Sequence, residues 1–245
     1  MFPIRDHNPS GRRPFVTMTL VAMNILVFLG YWLTVQDEAA LGWFFYNWGL
    51  VPDVVMAGGR LPTLVTSMFL HGGWLHLAGN MLFLWIFGDN LEDAMGHLGF
   101  LAFYIAAGLC AAALQIGMDP ASGVPMVGAS GAIAGVMGGY LLLYPKARVD
   151  VLIIFVIFFR VFAIPAWIVL GFWFGVQFFN GASAAQDGVA YMAHVGGFVG
   201  GVSLTLPVWL QRGGFGFWRV NHGQPPHPET AYPLRMTSIP KVPRR

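Results

Sequence analysis

Long apolar runs without charge constrain this chain more than any other feature. A helix crosses the ~30 Å hydrocarbon core of a bilayer with about 20 residues. By that measure six runs qualify: residues 15–35, 63–87, 98–117, 130–144, 161–179 and 189–210. Only 10% of the 245 residues are charged, against about 25% in a soluble domain, so the surface is not built mainly for water. The expected fold is all-α, a polytopic membrane bundle of six transmembrane helices spanning residues 15–211.

The flanking segments read differently. Residues 1–14 are polar, and no small-residue cleavage site follows the first run, so they are expected to be a cytoplasmic N-terminal segment and not a signal peptide. Residues 212–245 are basic, Pro-rich and aperiodic, as in a disordered cytoplasmic tail. The connection 118–129, with Asp119, Gly123 and two prolines, reads as a loop. Residues 151–159 read as an apolar interfacial lead-in to the fifth span, with Arg160 and Pro165 marking a break. The cluster Trp43, Phe44, Phe45, Tyr46 and Trp48 suits a headgroup layer. Cys110 is the single cysteine, so no intramolecular disulfide is expected. A formal charge of +2 is too small to suggest nucleic-acid binding.

Lys and Arg set the orientation. With six spans both termini share one side, which holds Arg5, Arg12, Arg13, Lys146, Arg148, Arg212 and the basic tail, whereas the opposite side has only Arg60. Both termini are therefore expected to be cytoplasmic. Spans two, four and six then all descend from the outer face, and their polar residues cluster at those ends: His71, His76 and Asn80, then Ser130, then His194. Ionisable residues inside a membrane face the bundle interior or a wet cavity and mark function. The fourth run, 130–144, covers only about 21 Å at ~1.5 Å per residue. Ser130 is thus expected at the floor of a cavity open to the outside, where water can reach it.

Small residues at four-residue spacing let helices approach closely. Gly131, Gly135 and Gly139 in span four, and the pairs Gly196/Gly200 and Gly197/Gly201 in span six, are expected to bring His194 to Ser130. His76 and Asn80, four apart, share a helical face and can both donate hydrogen bonds to an oxyanion formed at Ser130. Glu92, near the inner end of span two, reads as a tie to span one, and His97, His222 and His227 read as solvated.

These residues resemble the rhomboid intramembrane serine proteases. The carriers are His71-Gly-Gly-Trp-Leu-His76-Leu-Ala-Gly-Asn80, Gly128-Ala-Ser130-Gly131, and Ala193-His194 with Gly197 and Gly201. The resemblance implies a six-helix rhomboid-like bundle that cleaves transmembrane protein substrates within the lipid bilayer, without cofactor or metal. It implies Ser130 as nucleophile and His194 as general base. His76, Asn80 and the Ser130 backbone N–H would form the oxyanion hole, with His71 supporting and Gly128 keeping the backbone open. It further implies a multi-pass protein of a bacterial inner membrane, with the fifth span moving to admit substrate. Where many members place an aromatic four residues after the serine, this chain has Ala134. What orients His194 is therefore open, with Tyr191 or a neighbouring aromatic available.

Two other functions compete. A metal-dependent membrane protease or transporter could use His71, His76 and His194, but the chain has no HExxH and no acidic residue at that depth. An inactive rhomboid-like protein that escorts membrane clients would typically lack the serine or the histidine, and both are present.

Overall fold

In the computed structural model of the protein, which describes residues 2–155, 158–183 and 188–226, the apolar runs form helices. In chain order these are α1 (Phe15–Thr34), α2 (Glu38–Trp48), α3 (Pro52–Met56), α4 (Thr63–Thr66), α5 (Trp74–Met95), α6 (His97–Met118), α7 (Ser130–Leu143), α8 (Ala166–Ala182), α9 (Tyr191–Gln211) and α10 (Phe215–Asn221). Three of them, α1, α6 and α9, are long and apolar enough to cross a membrane. The apolar α7 and α8 are shorter, at 14 and 17 residues. The 22-residue α5 carries Asp89, Glu92 and Asp93 in its last two turns.

Residues 63–87 do not form one continuous helix. α4 and a 3-10 turn at Ser67–Phe69 end in extended backbone at Leu70, and α5 starts only at Trp74. The two intervening glycines, Gly72 and Gly73, disfavour helix because the unfolded chain has so much freedom there. His71 therefore lies on the segment before α5 and not on the helix that carries His76.

The all-α expectation is corrected by a three-stranded antiparallel sheet of order β1-β2-β3, with β1 at Phe2–Asp6, β2 at Arg148–Phe155 and β3 at Phe158–Pro165. The expected interfacial lead-in is the β2–β3 hairpin. Its β-branched and aromatic residues favour a pleated surface, and the register pairs Val149 with Ile164 and Val151 with Phe162. Val149 and Val151 are fully buried. Pro165 closes β3 and precedes the first residue of α8, so that helix begins at Ala166 and not at 161. Ala166 N–H donates to Ala147 O at 2.8 Å, holding the base of the hairpin together.

The expected disordered tail is ordered over its first part. Trp209, Phe215 and Trp218 form a ring cluster with centroids 5.0 to 5.7 Å apart. Trp218 Nε1 donates to Leu142 O at 3.0 Å, and Lys146 N–H donates to Gly223 O at 2.7 Å. These aromatics supply the apolar surface that a disordered segment lacks. Residues 227–245, including His227, lie outside the described residues.

α7 is the central helix. Eleven of its 14 residues are buried, as expected for a helix apolar all round, and its most extensive partner is α9, followed by α6 and α5. A Cβ on Gly197 would strike the Gly131 carbonyl, and one on Gly201 the Gly135 carbonyl, so α7 and α9 meet backbone to backbone. The other α9 pair, Gly196 and Gly200, faces Leu114 and Cys110 of α6 instead. Glu92 ties α5 to α1, as expected. Its carboxylate accepts from Val16 N–H and Thr17 N–H at 2.8 Å each and from Thr17 Oγ1 at 2.7 Å, satisfying N–H groups that the first turn of a helix leaves free. His97, expected to be solvated, has Nδ1 at 2.5 Å from Glu92 Oε1.

At the same end, β1 delivers Asp6 to the last turn of α7, where Tyr140 Oη donates to Asp6 Oδ2 at 2.7 Å. Burial beside Asp89 raises the Asp6 carboxyl to about 8 despite that hydrogen bond. A folded pKa above the unfolded value means the folded state keeps a proton that the unfolded chain releases. The stability of the parent is therefore expected to fall as pH rises from about 4 to about 8, and Asp6→Asn to flatten that dependence. Thermal unfolding midpoints in detergent between pH 5 and 9 check this; equal slopes for the two proteins would reject it.

Candidate active site

Ser130 and His194 come from the facing N-terminal turns of α7 and α9. Ser130 is the first residue of α7 and His194 the fourth of α9. The glycine contacts below them bring the two axes close enough for Ser130 Oγ to lie 2.8 Å from His194 Nε2, within the 2.6–3.2 Å that nucleophile activation requires. The other ring nitrogen, Nδ1, lies 2.7 Å from Gln177 Oε1 on α8. The imidazole ring is 5.7 Å from the Trp173 ring and 6.5 Å from the Tyr191 ring. Thus Trp173 is the nearer ring, with Tyr191 edge-on.

The segment before α7 is shaped by Gly128. Its φ of +133° is a conformation that L side chains rarely adopt, and a Cβ there would meet Cε1 and Nε2 of His76, each at 2.9 Å, with Ser130 Oγ at 3.5 Å. His76 is therefore drawn up beside the serine. Gly128 N–H donates to Ser67 O at 2.9 Å, and Met126 and Leu50 exchange two backbone hydrogen bonds of 2.7 and 3.0 Å. These bonds tie the irregular backbone before α7 to the chain ahead of α3 and to the 3-10 turn.

His76 presents a donor to this space. Gly72 N–H donates to His76 Nδ1 at 3.4 Å, which assigns the ring proton to Nε2, the atom nearest Gly128. Asn80, one turn further along α5, is buried, and its Nδ2 has no hydrogen-bond partner. A buried amide donor without a partner is costly unless an acceptor arrives. Because Ser130 opens a helix, its N–H is among those with no intrahelical acceptor. His71 is fully buried, with its ring edge-on to His76 at 5.1 Å. Its backbone is clamped by Tyr31, whose hydroxyl donates to His71 O at 2.6 Å and accepts from His71 N–H at 2.9 Å.

Ser130, His194, His76, Asn80 and Gly128 line a cavity of about 470 Å³ that also touches Met68, Gly108, Ala111, Trp173 and residues 188–190. The structure thus gathers Ser130, His194, His76, Asn80 and Gly128 around one space and puts His71 immediately behind His76. Two polar contacts were not anticipated: Gln177 on His194, and Gln115, whose Oε1 accepts from Ala193 N–H at 3.1 Å. Their signal was in the sequence, since each is a lone amide inside an otherwise uncharged run.

A Rhomboid domain model matches residues 58–211, and the chain belongs to the rhomboid family. It is 29% identical over 202 residues to the rhomboid protease GluP of Bacillus subtilis, covering 82% of this chain and 36% of that protein. It is 30% identical over 145 residues to the mitochondrial Rhomboid protein 1 of Saccharomyces cerevisiae, covering 57% of this chain and 40% of that one. The chain therefore spans well under half the length of these two relatives. With its apolar helices, this makes it a membrane protein of the rhomboid family.

The Gly131–Gly197 contact sets the distance between Ser130 and His194. Gly197→Ala is expected to push α9 off α7, at a cost of about 1–3 kcal/mol for overpacking, and to lower the unfolding midpoint. An unchanged midpoint in detergent would show that the backbones have slack at this contact.

Proposed function

We propose that the protein is an intramembrane serine endopeptidase that hydrolyses peptide bonds in or near transmembrane segments of membrane proteins. The observation that carries this reading is the 2.8 Å contact between Ser130 Oγ and His194 Nε2. It lies on the floor of a cavity lined by unused hydrogen-bond donors. In this reading Ser130 Oγ attacks the scissile carbonyl carbon while its proton passes to His194 Nε2. The carbonyl oxygen becomes an oxyanion that accepts from Ser130 N–H, His76 Nε2 and Asn80 Nδ2. The imidazolium then gives its proton to the departing amine nitrogen as the C–N bond breaks. A water molecule releases the acyl group by the same steps in reverse order of partners.

The arrangement in the membrane belongs to the same proposal. α1, α5, α6, α7, α8 and α9 are the six spans, both termini are cytoplasmic, and the cavity opens to the outer side of a bacterial cell membrane. The 14 residues of α7 give a length of about 21 Å, which leaves room above Ser130 for hydrolytic water. A metal-ion reading of His71, His76 and His194 is less well supported, because both ring nitrogens of His194 already have hydrogen-bond partners.

Cleavage of a fluorogenic transmembrane peptide by the purified chain in detergent tests the reading. Ser130→Ala is expected to abolish it, and equal cleavage by variant and parent overturns the proposal. His76→Ala and Asn80→Ala are each expected to lower kcat by about 10²–10³, the range for losing one oxyanion donor, with KM little changed. A raised KM at parental kcat would assign them to substrate binding instead.

A further inference from the structure

We propose that Gln177 is the positioning residue of the Ser130–His194 pair and makes the competence of the base depend on how α8 is seated. The inference rests on the proteolytic reading above and adds a third, uncharged member to it. Gln177 is 8% exposed and is the only Gln, Asn or charged residue between Ala166 and Phe179. Trp173, one turn earlier on the same face of α8, packs its ring on the same imidazole. Two residues of one helix, α8, thus meet His194, with Gln177 on the ring nitrogen away from Ser130 Oγ.

The chemistry follows from the acceptor. An amide oxygen cannot donate, so the 2.7 Å contact from Gln177 Oε1 requires the proton to sit on His194 Nδ1. The lone pair is then on Nε2, 2.8 Å from Ser130 Oγ, and the serine proton has an acceptor. The opposite tautomer would aim an N–H at Oγ and leave no base. A carboxylate could impose the same tautomer, but burying it at membrane depth would be costly, whereas an amide supplies the acceptor without a charge. It gives up the electrostatic stabilisation that an anion would lend to the imidazolium.

Because Gln177 stands on α8 while His194 stands on α9, the bond spans two helices. Any displacement of α8 beyond hydrogen-bond slack, about 0.5 Å, removes the acceptor. The dyad is then competent only while α8 is seated against α9, so substrate that displaces this helix must let it return before chemistry.

The test uses the full chain in detergent, with two readouts from pH 5 to 9: the rate at which a fluorophosphonate probe labels Ser130, and kcat and KM on the fluorogenic transmembrane peptide. Gln177→Met is expected to slow labelling and kcat by about 10- to 100-fold, the range for removing the partner that orients a functional histidine, with KM within about twofold. Gln177→Glu keeps the acceptor and is expected to label and cleave, with the acid limb of its kcat profile moved to higher pH because an adjacent carboxylate favours imidazolium. If Gln177→Met lowers the unfolding midpoint, Gln177→Asn, one methylene too short to reach Nδ1, gives the same reading. A Met variant that labels at the parental rate, a change in KM alone, a Glu variant that neither labels nor cleaves, or one that cleaves with its acid limb unmoved overturns the role of Gln177. A parent that neither labels nor cleaves removes the proteolytic reading and this inference with it.

Discussion

Everything distinctive in this structure depends on two helices touching backbone to backbone. Packed helices ordinarily keep their axes 8–10 Å apart, too far for a serine on one to reach a histidine one short side chain away on the other. Gly131 and Gly135 of α7 against Gly197 and Gly201 of α9 remove that separation, since a Cβ on either α9 residue would strike an α7 carbonyl. Such packing needs no hydrophobic driving force, which a lipid environment does not supply between helices. It rests on close van der Waals contact over a surface without side chains. The same glycines would destabilise a solitary helix, so α7 is held by its enclosure among α5, α6 and α9 rather than by propensity.

That contact also sorts the remaining polar groups into two chemistries at opposite ends of α7. At its N-terminal end are hydroxyl, imidazole and amide groups gathered around one cavity: Ser130, His194, His76 and Asn80, with Gln177 behind His194. At its C-terminal end are carboxylates used as fasteners. Glu92 of α5 caps the first turn of α1 through three hydrogen bonds, and Asp6 accepts from Tyr140 of α7, so the first helix is anchored to α5 and the N-terminal strand to α7. Glu92 is buried and its carboxylate is met by those three donors, whereas the Asp6 carboxyl keeps its proton up to about pH 8.

Much of the site was legible in the sequence, because a polar side chain in an uncharged run is conspicuous. Ser130, His194, His76 and Asn80 could be assigned to one layer by counting spans, and Gly128 and Gly131 by their place beside the serine. What was missed follows from the limits of periodicity. The hairpin 148–165 reads in sequence as an interfacial lead-in over 151–159 and as the start of the fifth span from 161, because an apolar run carries no period that separates a strand from a buried helix. Its pairing with β1, as in Phe2 with Leu152, depends on a partner far away in the chain. Residues 63–87 looked continuous because the composition is uniform, although Gly72 and Gly73 part the segment bearing His71 from α5. The aromatic tail 215–218 was discounted for its basic and Pro-rich neighbours. Gln177 was passed over because an amide in a span reads as a packing residue until its partner is known.

The Ala134 departure joins these observations into one physical account. An imidazole at the edge of a cavity has two degrees of freedom that matter, ring rotation and tautomer. A stacked aromatic restrains only the first. Here both contacts come from a single helix, with Trp173 tilted beside the ring and Gln177 on Nδ1. With both restraints on α8, α7 carries only a methyl group at residue 134, and its glycines meet α9 directly. The orienting duty passes to the neighbouring helix that has no glycine contact with α7 and is free to carry large side chains.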